Sequence, residues 1–180
     1  PCNVRLCNRC QFKGLHSLQR KTKTLKTFTN PSYFLALGFG SGLAPKAPGT
    51  FGTLAAIPVY LLLTQFGDLG YGLFVVAAAL FGCWLCQIVA DDMQVKDPAS
   101  IVWDEFVGLW IALFMLPEGI AWIIIGFILF RFFDIVKPWP IGWIDKHVKG
   151  GVGIMVDDIV AGLISLCLIQ LLAYSQVWLA

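Results

Sequence analysis

Ile101-Val-Trp-Asp-Glu-Phe-Val-Gly-Leu-Trp-Ile-Ala-Leu-Phe-Met-Leu116, then Pro117-Glu-Gly119, then Ile120-Ala-Trp-Ile-Ile-Ile-Gly-Phe-Ile-Leu-Phe-Arg-Phe-Phe-Asp134 is the stretch that decides the fold. Two apolar runs flank a Pro-Glu-Gly turn signal, and charge appears only at the turn and at the two outer ends. The pattern predicts a tight helical hairpin with arms over residues 100–116 and 119–136. Reflection about the turn sets residue 104 opposite residue 131, because both arms rise equally per residue. Asp104 and Glu105 at the start of one arm should therefore share a level with Arg131 and Asp134 at the end of the other.

The rest of the chain extends the same theme. A helix needs roughly 20 apolar residues to cross a bilayer core. Residues 69–90 and 159–180 meet that length, the second run carrying Gln170, and the shorter runs 51–66, 106–116 and 120–133 reach it with their polar flanks. Of the 180 residues, 58% are hydrophobic and 13% charged, against about a quarter charged in a soluble domain. The expectation is an all-α, polytopic membrane helical bundle of about four to five spans, formed by residues 31–180. A poorly ordered basic arm, residues 1–30, precedes it.

Charge orients this bundle. The first 30 residues hold seven basic side chains and no acid, whereas all eleven acids lie from Asp68 onward. Beside a membrane domain, such an arm marks a cytoplasmic end near anionic lipid rather than a nucleic-acid site. It is not followed by a short apolar core and cleavage site, so it is not read as a signal peptide. Arg131, Lys137, Lys146 and Lys149 then fall on the inner side, and the outer loops at Asp68 and Glu118 hold no Lys or Arg. Cys2, Cys7 and Cys10 offer three zinc ligands without a fourth at a usual spacing. Cys83, Cys86 and Cys167, within apolar helices, read as small buried hydrophobes.

Under this topology nearly every acid gathers at one boundary. Asp91, Asp92 and Asp97 end the second span, Asp104, Glu105 and Asp134 flank the hairpin, and Asp157 and Asp158 begin the final span. Carboxylates so close raise one another's pKa and cannot all ionise unaided. A divalent cation resolves the conflict, and Mg²⁺ favours one or two carboxylates together with water and phosphate oxygens. For any single acid, helix capping or a plain ion pair is the simpler reading: Asp157 as an N-cap, Asp134 as the i, i+3 partner of Arg131. Two glycine-rich segments border this level, Gly38-Phe-Gly-Ser-Gly42 leading to Pro48-Gly-Thr50, and Gly150-Gly-Val-Gly153. Glycines and helix starts let backbone N–H groups approach a phosphate, which makes Ser41, Gly42 and Thr50 candidates for binding one. No Walker A spacing is present.

Five blocks carry a family resemblance: Gly38-Phe-Gly-Ser-Gly-Leu-Ala-Pro45, Pro48-Gly-Thr-Phe-Gly-Thr53, Ile101-Val-Trp-Asp-Glu-Phe-Val-Gly108, Phe130-Arg-Phe-Phe-Asp-Ile-Val-Lys-Pro-Trp-Pro140 and Gly150-Gly-Val-Gly-Ile-Met-Val-Asp-Asp-Ile-Val-Ala-Gly162. In this order, from about residue 30 to residue 165, the chain resembles the phosphatidylglycerophosphatase A family. The resemblance implies a Mg²⁺-dependent phosphatase of the bacterial inner membrane, converting phosphatidylglycerophosphate to phosphatidylglycerol, and the charge pattern above sets its site on the cytoplasmic side. It favours Asp104, Glu105, Asp134, Asp157 and Asp158, with Arg131, Lys137 and Ser41 beside them, and Asp92 also fits. Asp91, Lys46 and His147 are not assigned, and Thr53 stands where the family commonly has Ser.

The chemistry expected is attack of water on a phosphomonoester, assisted by a metal that Asp92, Asp104, Glu105, Asp157 and Asp158 would hold. Arg131 and Lys137 would counter phosphate charge. Asp104, Glu105, Arg131, Asp134 and Asp158 are the catalytic candidates, and the choice of base stays open. Cysteine phosphatase chemistry is excluded by the lack of Cys-x5-Arg, and His16 and His147 lack the context of a histidine nucleophile. Two alternatives are a CDP-alcohol phosphotransferase, whose spaced Asp pattern is missing, and a membrane cation-binding or transport protein.

Overall fold

The computed structural model describes residues 29–95 and 98–177. The basic arm up to residue 28, with Cys2, Cys7 and Cys10, lies outside the described residues, as does Asp97. Among the described residues the chain is helical throughout, with no strand. The order is α1 (Pro31–Ala36), a 3-10 turn (Gly38–Leu43), α2 (Pro48–Leu63), a second 3-10 turn (Thr64–Phe66), α3 (Gly67–Met93), α4 (Trp103–Ala112), α5 (Ile120–Val136), α6 (Ile141–His147) and α7 (Gly150–Val177).

The centre of the bundle is α4. Beyond its first turn it is apolar on every side, the mark of an interior helix, and Phe106, Val107, Leu109 and Ala112 are fully buried. Its two indoles tie it to neighbours: Trp103 Nε1–H donates to the Ala78 carbonyl of α3 and Trp110 Nε1–H to the Ala56 carbonyl of α2, each at 3.1 Å. Buried Trp N–H groups need such partners. α7 crosses α4 at a pair of glycines, where a Cβ on Gly162 would lie 2.4 Å from the Gly108 carbonyl oxygen. Small residues at a helix crossing allow backbones this close.

α4 is shorter than the expected arm of residues 100–116. It has ten residues, or about 15 Å, half of a bilayer core. Leu113 ends it, and Met115 turns the chain in a left-handed conformation with φ 51°. Gln170 Nε2 donates to the Met115 and Phe114 carbonyls at 2.9 and 3.2 Å. The polar residue inside the final apolar run thus serves carbonyls released where α4 stops.

Among the described residues, two helical stretches, Pro48–Met93 and Gly150–Ser175, are long and apolar enough to cross a membrane. Along α5, Ile120, Ile124, Ile128 and Phe132 recur at helical spacing, and each is more than half exposed. A continuous apolar stripe of that kind marks an interaction surface rather than a water-facing one.

One expected boundary moves. Asp157 and Asp158 do not begin the last helix, since α7 starts at Gly150. Asp157 is therefore about two turns inside and is not an N-cap. The Gly150-Gly-Val-Gly153 segment is its first turn rather than a loop. Gly151 N–H donates to Gln87 Oε1 of α3 at 2.6 Å, and a Cβ there would meet the Cys83 carbonyl at 2.1 Å. Close packing against α3 holds this glycine run helical.

Candidate active site

Three helices deliver charge to one place. The first turn of α4 carries Asp104 and Glu105, the last turns of α5 carry Arg131 and Asp134, with Lys137 as its C-cap, and α7 carries Asp157 and Asp158. All seven line a single cavity of about 530 Å³, together with Ala47, Pro48 and Gly49 before and within α2, and Asp145, Lys146 and Lys149 around α6. The level-sharing expected from the turn at Pro117 is realised in side-chain contact.

Arg131 is the hub of one half. Its Nη1 donates to Glu105 Oε1 at 3.3 Å, to Asp134 Oδ2 and to Thr53 Oγ1 at 3.4 Å. Thr53 spends its own proton on the Gly49 carbonyl at 2.8 Å, so its oxygen is free to accept. Gly49 is required by proximity, because a Cβ there would lie 1.9 Å from Glu105 Oε1 and 3.2 Å from Arg131 Nη1.

Lys137 organises the other half, donating to Asp157 Oδ2 and, at 3.1 Å, to Asp145 Oδ1. Burial disfavours its charge, but the hydrogen bond and charge of Asp157, then those of Asp145, outweigh it. The ammonium is consequently harder to deprotonate than that of an ordinary lysine. Lys137 and Ala47, both in the cavity wall, share an unusual backbone: each precedes a proline and each is left-handed, with φ 45° and 47°. Residues before proline favour extended conformations, and a non-glycine residue in this region costs on the order of 1–3 kcal/mol. Such strain persists where surrounding structure fixes it. Here Lys137 N–H is bonded to the Phe133 carbonyl at 2.9 Å, and the Ala47 carbonyl accepts from Thr50 N–H at 3.0 Å to open α2.

Three polar atoms in the wall are buried without a hydrogen-bond partner: Asp104 Oδ1, Asp157 Oδ1 and Arg131 Nε. Buried polar groups are seldom left so. Two carboxylate oxygens and one guanidinium N–H thus offer complementary chemistry, the oxygens for a cation and the N–H for an anionic oxygen. The wall holds six carboxylates and four cationic side chains, a formal balance of −2. On those formal charges a phosphate dianion entering alone would be repelled. Among the described residues no three His, Cys, Asp or Glu side chains form a ready-made metal cluster. Mg²⁺ needs no such cluster, since it takes one or two carboxylates and completes its shell with water and phosphate.

Several expected residues stand apart from this wall. Ser41 donates to the Gly38 carbonyl at 2.8 Å and lines a separate, mainly apolar groove with Phe51 and Leu54. Gly42 packs on the Ser100 carbonyl. Thr50 follows Gly49 in α2 but does not reach the cavity, and Asp92, near the end of α3, accepts from the Tyr33 hydroxyl. Of the first glycine-rich segment and the turn after it, only residues 47–49 touch the cavity. His147, unassigned from sequence, pairs its Nδ1 with the Trp143 carbonyl at 2.7 Å. Sequence reasoning gave Gly49, Asp145, Lys146 and Lys149 no part in the site, although Lys146 and Lys149 entered the charge argument for orientation. The one available signal was their position beside the charged blocks.

A model of the phosphatidylglycerophosphatase A family matches residues 34–173. The phosphatidylglycerophosphatase A of Escherichia coli (strain K12) is 51% identical over 144 residues, covering 79% of this chain and 84% of that protein. The Haemophilus influenzae phosphatidylglycerophosphatase A is 46% identical over 147 residues, covering 81% and 90%. A Bacteroides thetaiotaomicron protein provisionally named phosphatidylinositol-3-phosphatase is 41% identical over 150 residues, covering 77% and 93%. No solved structure matches the chain.

Proposed function

The chain belongs to the phosphatidylglycerophosphatase A family, and on that footing we propose that it hydrolyses the terminal phosphomonoester of phosphatidylglycerophosphate in phospholipid biosynthesis. Water attacks phosphorus, the bond from phosphorus to the glycerol oxygen breaks, and phosphatidylglycerol and inorganic phosphate leave. The observation that carries this reading is the pairing, in one buried wall, of unpartnered carboxylate oxygens with an unpartnered guanidinium N–H.

Asp104 and Asp157 would hold Mg²⁺ through their open oxygens. When bound, the ion supplies Lewis-acid polarisation of the phosphoryl oxygen and acidifies a water. Arg131 meets the phosphate with Nε–H, its orientation set by Glu105 and Asp134. Asp134 thereby acts as a positioning residue. Lys137 balances charge on Asp157. Asp158, buried and without an ion-pair partner among the described residues, is the carboxylate placed to take the proton of the attacking water.

The apolar stripe of α5 and the two long apolar stretches support a bundle embedded in the bacterial inner membrane. α2, α3, α5 and α7 would cross it around the half-length α4, with the cavity facing the cytoplasm. A cation transporter would need acids along a path through the bilayer, whereas six of the chain's acids line one cavity. The discriminating experiment measures phosphate release from phosphatidylglycerophosphate by the detergent-purified chain, and ion flux through the same protein in liposomes. Phosphate release without flux is expected. Flux without phosphate release would overturn the phosphatase reading.

A further inference from the structure

Two cations of the cavity are left over. Among the described residues Arg131 is engaged by Glu105 and Asp134, and Lys137 by Asp145 and Asp157, whereas Lys146 and Lys149 line the same cavity without a carboxylate partner. Both are exposed, unlike the buried acids and Arg131 Nε. They form a basic mouth over a mainly acidic floor. The depth of that mouth follows from α6. Trp139 just before it is 84% exposed, and Trp143 within it is 55% exposed and stacked on His147. Exposed indoles beside lysines are the pattern of a headgroup-level interface. Buried Ile141 and the Lys137–Asp145 bridge fasten this short helix to the bundle.

The substrate carries two phosphates: the terminal monoester that is cleaved, and an internal diester nearer the acyl chains. With the monoester on the floor, the diester returns toward the bilayer past the mouth. We infer that Lys146 and Lys149 form a second anion subsite, which binds the internal phosphodiester and favours substrates with two phosphates over those with one. This assignment rests on the phosphatase reading above. Lysine, a mobile point charge on a flexible stem, suits a singly charged diester that needs no planar two-point match.

The test uses water-soluble competitors, so that general attraction of lysines to an anionic surface does not enter. Hydrolysis of phosphatidylglycerophosphate by the full chain in detergent is inhibited with glycerophosphoglycerol phosphate, the deacylated substrate with both phosphates, and with glycerol 3-phosphate. The starting protein is expected to prefer the two-phosphate compound by about tenfold or more. Lys146→Gln/Lys149→Gln should lose that preference and raise KM for the lipid with kcat retained, and Arg at both positions should restore it. The single Gln variants, each with a partial loss, serve if the double variant is not monodisperse. Absence of the preference in the starting protein, its survival in the double Gln variant, or equal weakening of both inhibitors would each overturn the subsite. A starting protein that releases no phosphate at all would instead remove the phosphatase reading beneath it.

Discussion

Arg131 Nη1 lies 3.3 Å from Glu105 Oε1, joining the end of α5 to the start of α4. The two residues are 26 apart in sequence and meet because α5 returns alongside α4. This contact makes one site of two helix ends. It also explains why a lysine would not serve: Arg131 uses one nitrogen to bind Glu105, Asp134 and Thr53 and keeps Nε for a ligand.

Arg131→Lys should therefore retain the fold and lose most of the activity. A single ammonium cannot hold Glu105 and Asp134 and still present a second donor in fixed geometry. Loss of one such pre-set donor costs roughly 10²–10³ in kcat. Steady-state phosphate release checks this, and kcat within a few-fold of the starting protein would contradict it.

Gly49→Ala tests the same contact from the other side. The added Cβ would fall 1.9 Å from Glu105 Oε1, and the far end of that side chain can swing away. Activity should drop by on the order of 10²-fold, the effect of misplacing a site by about 1 Å. The thermal midpoint in detergent should change little.

Gly162→Leu should do the reverse. Its Cβ would meet the Gly108 backbone carbonyl at 2.4 Å, which cannot swing aside, so α7 must part from α4. Overpacking of this kind costs about 1–3 kcal/mol. Chemical unfolding in detergent should report that loss, while Ile124→Ala on the exposed stripe of α5 should be nearly silent in the same assay.

Lys137→Met removes the partner of Asp157, whose side chain is 7% exposed, while Lys137 itself is 28% exposed. The abandoned carboxylate should lower stability by about 1–3 kcal/mol, below the full cost of breaking a fully buried pair. A companion Asp157→Asn should recover part of that stability but not activity. Failure of the second change to recover any stability would argue against the pair.

The meeting of Asp104 and Glu105 with Arg131 and Asp134 was legible because it follows from helical rise and one turn signal. Asp158 was expected beside them as the start of the last span, and it reaches the cavity instead from about two turns inside α7. The extent of α4 was not. Leu113 to Leu116 are apolar like the residues before them, and hydropathy does not distinguish an apolar helix from an apolar turn held by Gln170. Likewise Gly150 to Gly153 reads as a loop by composition, and only contact with Gln87 and Cys83 keeps it helical. Ser41, Gly42 and Thr50 looked equivalent to Gly49 by spacing. The left-handed residue at Ala47 directs the chain so that residues 47–49 face the acids. Asp145 and Lys149 carried no signal beyond their place beside the charged blocks, because their partners, or lack of them, depend on where α6 folds back.

Removal and return of the metal is the most direct test of a carboxylate wall that works by sharing a divalent ion. The purified chain is stripped with EDTA, and phosphate release is followed as Mg²⁺ is titrated back, in parallel with Asp104→Asn. Stripping should abolish turnover and Mg²⁺ should restore it, and the variant should need at least about tenfold more Mg²⁺, the equivalent of about 1.4 kcal/mol of binding. Undiminished turnover in EDTA, or an Asp104→Asn protein with the same Mg²⁺ requirement as the starting chain, would contradict it.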